Sequence, residues 1–122
     1  MLYNALIRTH HITSRKKVAA LKRAADTYSC YVLLRSGGCP GIMYVEGQEQ
    51  GQVEGWVGVV KRLRYKDFQL VRKPGELVSE TGDGMGTGKD VGLNEVDSVK
   101  EFGHLMAHRG VWGWWRKGMG YS

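Results

Sequence analysis

Cysteine is scarce in this chain: Cys30 and Cys39 are the only two among 122 residues. With no CxxC spacing and no second pair, they exclude a cysteine-built zinc site, and two free thiols in a reducing compartment are the expectation. No apolar run approaches the ~20 residues of a membrane span. The opening MLYNALIRTHHI interrupts its apolar stretch with Arg8, His10 and His11, which excludes a signal-peptide reading. The chain is therefore expected to be soluble and intracellular, nuclear or cytoplasmic, with no membrane contact. An unambiguous catalytic constellation is also missing, so the expectation is a protein that is not an enzyme and needs no cofactor or metal.

What is present fits one globular domain. The chain is 42% hydrophobic and 25% charged, enough for a single core and too apolar for wholesale disorder. The formal charge of +6, from 18 basic and 12 acidic side chains, favours anionic partners, with nucleic acid ahead of acidic membrane.

Periodicity supplies the elements. Residues 2–12 are rich in apolar side chains and end at Thr13 and Ser14, predicting a strand followed by a helix N-cap. Val18, Leu21, Ala25 and Tyr28 then form one helical stripe, with Arg15, Lys16, Lys22 and Arg23 around it. Tyr31 to Arg35 and Ile42 to Val45 are β-prone runs separated by Ser36-Gly37-Gly38 and Pro40-Gly41. Val53, Trp56, Val57 and Val60 recur at helical spacing, and Phe68 to Val71 reads as a fourth strand closed by Pro74-Gly75. Strand, helix, strand, strand, helix, strand is the order of a ferredoxin-like βαββαβ sandwich, an α+β fold with an antiparallel sheet and both helices on one face.

That core is assigned to residues 1–78. A glycine-rich loop is expected over 79–93, and a C-terminal helix with a tryptophan-rich tail over 94–122, packed on the core within one domain. Asn94 and Asp97 are placed as N-cap and N3 of that helix, Val99, Phe102 and Met106 as its stripe, and Gly110 as its stop.

Strand parity separates two sheet faces. Ala5, Ile7, Val32, Leu34, Met43, Val45 and Val71 suit the two helices. The other face holds Arg8, His10, Tyr31, Arg35, Tyr44, Phe68 and Arg72 with Leu33, Ile42 and Leu70. If open, such a mixture of aromatics and arginines stacks bases and neutralises phosphates. If covered, it is the seat of Phe102, Met106, Trp112 and Trp115, and nucleic-acid contact moves to edges and loops.

Several local patterns bear on chemistry. His10 to Lys17 joins a strand to a helix start, where free N–H groups and the helix dipole favour an anion. Lys61, Arg62, Arg64, Lys66, Arg72 and Lys73, with Tyr65 interleaved, form a second basic group. Glu101, His104 and His108 share a helix face but lack the HExxH pattern of a zinc site. The run GDGMGTGKD over 82–90 fails the P-loop pattern twice, at Asp83 and at Asp90. Cys30 or Cys39 with His10 or His11 would make a nucleophilic dyad, but no orienting third group is evident.

Three of these segments, HHITSRKK, PGIMYVEG and WVGVVKRLRYKDF, resemble the C-terminal domain family of the spliceosomal small nuclear ribonucleoprotein pre-mRNA-processing factor 3, related to domains that follow RWD domains. The similarity covers roughly Leu6 to Val71. Its most specific parts are His11-Ile12 with Ser14 and Lys17, Pro40-Gly41-Ile42, and Val45-Glu46-Gly47. The resemblance implies a ferredoxin-like fold and a stand-alone, fungal-type member. In the splicing factor this domain contributes to binding small nuclear RNA, so a small non-catalytic RNA-binding module is expected. The glycine loop and tryptophan tail have no counterpart there, and the alternative is a protein-interaction adaptor that docks a partner through the C-terminal helix and the tryptophan-rich tail. Charge and expected exposure single out His10, His11, Ser14, Arg15, Lys16, Lys17, Arg35, Tyr44, Arg64, Tyr65, Lys66 and Arg72 as RNA-contacting candidates.

Overall fold

The computed structural model describes residues 1–81 and 90–121. Most of the glycine-rich run expected as a loop lies outside them. The chain is an α+β domain with five strands and four helices among the described residues: β1 (Tyr3–Thr9), α1 (Arg15–Thr27), β2 (Tyr31–Arg35), β3 (Gly41–Gly47), α2 (Gln50–Leu63), β4 (Gln69–Glu76), β5 (Gly92–Val96), α3 (Val99–His108) and α4 (Trp112–Met119). The strands lie in one sheet in the order β4-β1-β3-β2-β5. The first four are antiparallel to their neighbours, whereas β5 runs parallel to β2, from Tyr31 opposite Gly92 to Arg35 opposite Val96.

One face of the sheet carries α1 and α2. Val18, Leu21, Ala24 and Ala25 of α1 and Val53, Trp56, Val57 and Val60 of α2 meet Ala5, Ile7, Val32, Leu34, Met43 and Val45. Trp56 is fully buried and its indole N–H donates to the Leu21 carbonyl at 3.1 Å, which joins the helices. Their close approach depends on Gly55, because a Cβ there would overlap the ring of Tyr28. Glu49 and Gln52 form a capping box that fixes the start of α2.

Helices α3 and α4 cover the opposite face. Phe102, Met106, Trp115 and Met119 pack on Leu6, Tyr31, Leu33, Ile42 and Tyr44. Here the structure departs from the sequence expectations. Residues 92–96 form a strand, and α3 is capped four residues later than expected: the Ser98 hydroxyl accepts from the Glu101 N–H at 3.0 Å. The tryptophan tail is a helix whose first turn receives the Glu80 carboxylate from the far side of the glycine run, which accepts from the N–H groups of Gly113 (2.8 Å) and Trp114 (2.7 Å). Strand β4 extends to Glu76 through Pro74, as an edge strand permits. Register shifts between β1 and β4 put Phe68 and Leu70 on the α1/α2 side and Val71 on the α3/α4 side, against the expected parity, while Arg72 keeps the face expected of it.

A buried charge network ties α3 to the sheet. Glu46 is 1% exposed, and its carboxylate accepts from Arg109 at 2.8 Å and from the Tyr44 hydroxyl at 2.7 Å. The Arg109 guanidinium lies 3.3 Å from the Tyr31 ring centroid and also reaches Asp90 at 3.1 Å. Burial first, and then the Glu46 charge, raise the Tyr44 hydroxyl well above its ordinary pKa.

Cys30 is fully buried in the α1/α2 core, and burial pushes its thiol from 9.0 up to about 11. The unfolded chain releases this proton first, so between those values the native state binds more protons and stability falls as pH rises. Denaturation at pH 9.0 and at pH 11 is expected to show that loss, and Cys30→Ala to remove part of it. An unchanged pH dependence in the variant would contradict the assignment.

Candidate functional site

Strand β1 ends where two other segments converge. The His10 N–H donates to the Lys66 carbonyl at 2.9 Å, and the His10 carbonyl accepts from the Gly41 N–H at 3.2 Å. The β1–α1 loop is thereby held against both the α2–β4 loop and the start of β3. Gly41 makes this approach possible, because a Cβ there would overlap Thr9 Oγ1 and crowd Ile12. Ile12 is fully buried and pins the loop, and the Ser14 hydroxyl caps α1 by accepting from the Lys17 N–H at 3.2 Å.

The result is a cavity of about 200 Å³ between the two loops. His11, Thr13, Ser14 and Lys17 line it from the start of α1, and Arg64, Tyr65 and Lys66 from the end of α2. Two basic segments that the sequence separates thus form one site. Lys17 Nζ stands 4.9 Å from the Tyr65 ring centroid. Tyr65 is 8% exposed, so its ring belongs to the core and offers no stacking face. Its hydroxyl has no hydrogen-bond partner among the described residues, and burial pushes its pKa up to about 12. The site therefore brings three cationic side chains, those of Lys17, Arg64 and Lys66, to the start of α1, a setting suited to a phosphate.

Beside it lies a larger cavity, of about 510 Å³, between the end of β1, the residues before β3 and the start of β4. His10, Cys39 and Asp67 line it together with Thr9 and Gln69. The His10 ring is tilted against that of His11, with centroids 4.7 Å apart, and the two neighbours line one cavity each.

Other candidates are placed elsewhere. Arg15 is held by Glu95 through two bonds, at 3.0 and 2.7 Å, which fastens the first turn of α1 to β5 and occupies its guanidinium. Arg35 donates to the carbonyls of Asp97 (2.8 Å) and Pro40 (3.0 Å), bracing two turns. Tyr44 is fully buried, and Arg72 donates from two nitrogens to the Trp114 carbonyl, at 3.2 and 3.1 Å, beside the Trp114 ring. The face bearing Tyr44 and Arg72 is thus covered by α4 and presents no base-stacking surface. Lys16 is exposed on the first turn of α1 and does not line the cavity. Among the tail tryptophans, Trp115 is 3% exposed and Trp112 is 46% exposed.

Asp67, Thr13 and Glu95 are the residues that sequence reasoning missed. Asp67 directly follows Lys66 within the second basic group, and its left-handed backbone, at φ 56°, marks a turn that brings it back to His10. No protein-family model matches the chain, and no curated protein is significantly similar to it.

Proposed function

We propose that the protein binds RNA, and that the cavity between the β1–α1 and α2–β4 loops holds a backbone phosphate. The observation that carries this reading is the convergence of His11, Ser14 and Lys17 with Arg64 and Lys66 around one cavity. Cationic side chains gathered beside a helix start offer a phosphate charge-assisted hydrogen bonds. The strand order β4-β1-β3-β2 with α1 and α2 on one face supports reading residues 3–76 as a ferredoxin-like unit. The resemblance of HHITSRKK and PGIMYVEG to the splicing-factor domain family supports the same assignment, with single-stranded RNA as the ligand class.

The covered sheet face moves contact to the loops, where phosphates and not bases are met, so the binding is expected to depend weakly on sequence and strongly on salt. Titration of a labelled single-stranded RNA over a range of salt concentrations tests this. Lys17→Glu with Arg64→Glu is expected to weaken binding and to lower the magnitude of the log–log salt slope by about 0.7 for each phosphate that is no longer neutralised. Binding that is absent, or indifferent to salt and to these substitutions, would overturn the proposal.

A further inference from the structure

The larger cavity brings together three groups that different elements supply. Cys39 precedes β3, His10 follows β1 and Asp67 precedes β4. Cys39 Sγ lies 3.9 Å from His10 Nε2, and His10 Nδ1 lies 3.5 Å from Asp67 Oδ2. Asp67 contacts the ring nitrogen opposite the one that faces sulfur. This arrangement favours the tautomer with hydrogen on Nδ1 and leaves the Nε2 lone pair directed at the thiol. The order nucleophile, base, orienting carboxylate is that of nucleophilic catalysis, at separations that fit an unliganded site.

Two further features narrow the chemistry. The only other cysteine, Cys30, is fully buried in the core, so no second thiol is within reach to resolve a disulfide, and dithiol redox exchange is disfavoured. The cavity wall instead carries N–H donors, the Gln69 amide and the Arg8 guanidinium, of the kind that receive a developing oxyanion. Thr9 lines the same cavity, and its Oγ1 is buried with no hydrogen-bond partner among the described residues.

We infer that Cys39, His10 and Asp67 form a nucleophilic thiol centre that accepts acyl groups from carboxylic esters or thioesters. His10 Nε2 takes the Sγ proton as sulfur attacks the carbonyl carbon. A C–S bond forms and the carbonyl electron pair moves onto oxygen. Collapse breaks the bond to the leaving oxygen or sulfur, which receives the proton from His10 and departs, leaving an acyl thioester on Cys39. Water then attacks that thioester, gives a proton to His10, and the carboxylic acid leaves as the thiol is restored. Asp67 is a positioning residue throughout, acting on His10 alone.

The experiment treats the full chain with p-nitrophenyl acetate, follows p-nitrophenolate release, and maps the acetyl group by mass spectrometry. Acetyl is expected on Cys39 and not on Cys30. His10→Gln is expected to slow acetylation of Cys39 about 100-fold, the lower range for loss of a general base. Asp67→Asn is expected to slow it about tenfold and Asp67→Glu to restore most of the rate, with thermal melting confirming that each variant folds. His10 and Asp67 are at least partly exposed, so neither replacement opens the core. Acetyl found on lysines alone, or a Cys39 rate indifferent to His10→Gln in a folded variant, would overturn the inference. RNA titration of the same samples reports separately on the phosphate site.

Discussion

Replacing Arg109 with methionine is expected to destabilise the domain by about 3–5 kcal/mol, among the largest effects of any single substitution outside the apolar core. The loss arises less from the missing cation than from what it leaves behind. Glu46 is 1% exposed and, among the described residues, keeps only the Tyr44 hydroxyl as a side-chain donor, so its charge would stand uncompensated inside the α3/α4 layer. The second pair, with Asp90, contributes little because that carboxylate is 59% exposed. Urea denaturation of Arg109→Met, Glu46→Gln and the double variant checks this. The double variant is expected to lose much less than the sum of the single variants, since removing both charges removes the desolvation problem. A single-variant loss below about 1 kcal/mol, the range of exposed pairs, would contradict the burial argument.

Trp56→Ala is expected to destabilise the fold by about 3–5 kcal/mol, as for other large side chains deleted from a close-packed interior. Trp56 fills the space between α1 and α2, and its N–H satisfies the Leu21 carbonyl. Trp56→Phe separates the two contributions: it retains most of the volume, removes the hydrogen bond, and is expected to lose about 1–3 kcal/mol. The consequence reaches the phosphate site, because Arg64 and Lys66 follow the end of α2 while Ser14 caps the start of α1. A helix pair that no longer keeps its spacing is expected to weaken RNA binding even where the variant remains folded. Equal affinity in a folded Trp56→Ala would show that the two loops hold the site without the helices.

Much of the first sheet face was legible because local signals agreed. Val18, Leu21 and Ala25 repeat at helical spacing, Ser14 supplies a cap, and Trp56 with Val53, Val57 and Val60 does the same for α2. In the C-terminal part the α3 stripe of Val99, Phe102 and Met106 and its stop at Gly110 were legible, whereas β5, the cap of α3 and the helical state of the tail were not, because distant partners decide them. Gly92–Val96 carries no alternating pattern, and its strand state comes from pairing with β2 some sixty residues earlier. Asn94 has the composition of a cap, yet Ser98 holds that position. The sequence WGWWRKGM is glycine-rich and has low helix propensity; Trp115 and Met119 are held by the sheet, and Glu80 caps the helix from outside.

The site divides in the same way. His11, Ser14, Lys17, Arg64 and Lys66 stood out by residue type, but only the pairing of β1 with β4, Arg8 opposite Gln69, brings their two loops together. Arg15 looks equivalent to Lys16 and Lys17 in sequence. It is removed from the site by Glu95, eighty positions away. Asp67 reaches His10 through the same strand pairing, which is why the dyad lacked its third member when read linearly.

The central place of β1 has a bearing on how the molecule is made. Strand β1 precedes both of its neighbours, β3 and β4, in the chain, and the second of them is complete only at Glu76. A nascent chain therefore waits on the ribosome with an aliphatic ribbon unpaired along one edge or both, a period in which chaperone capture competes with self-association.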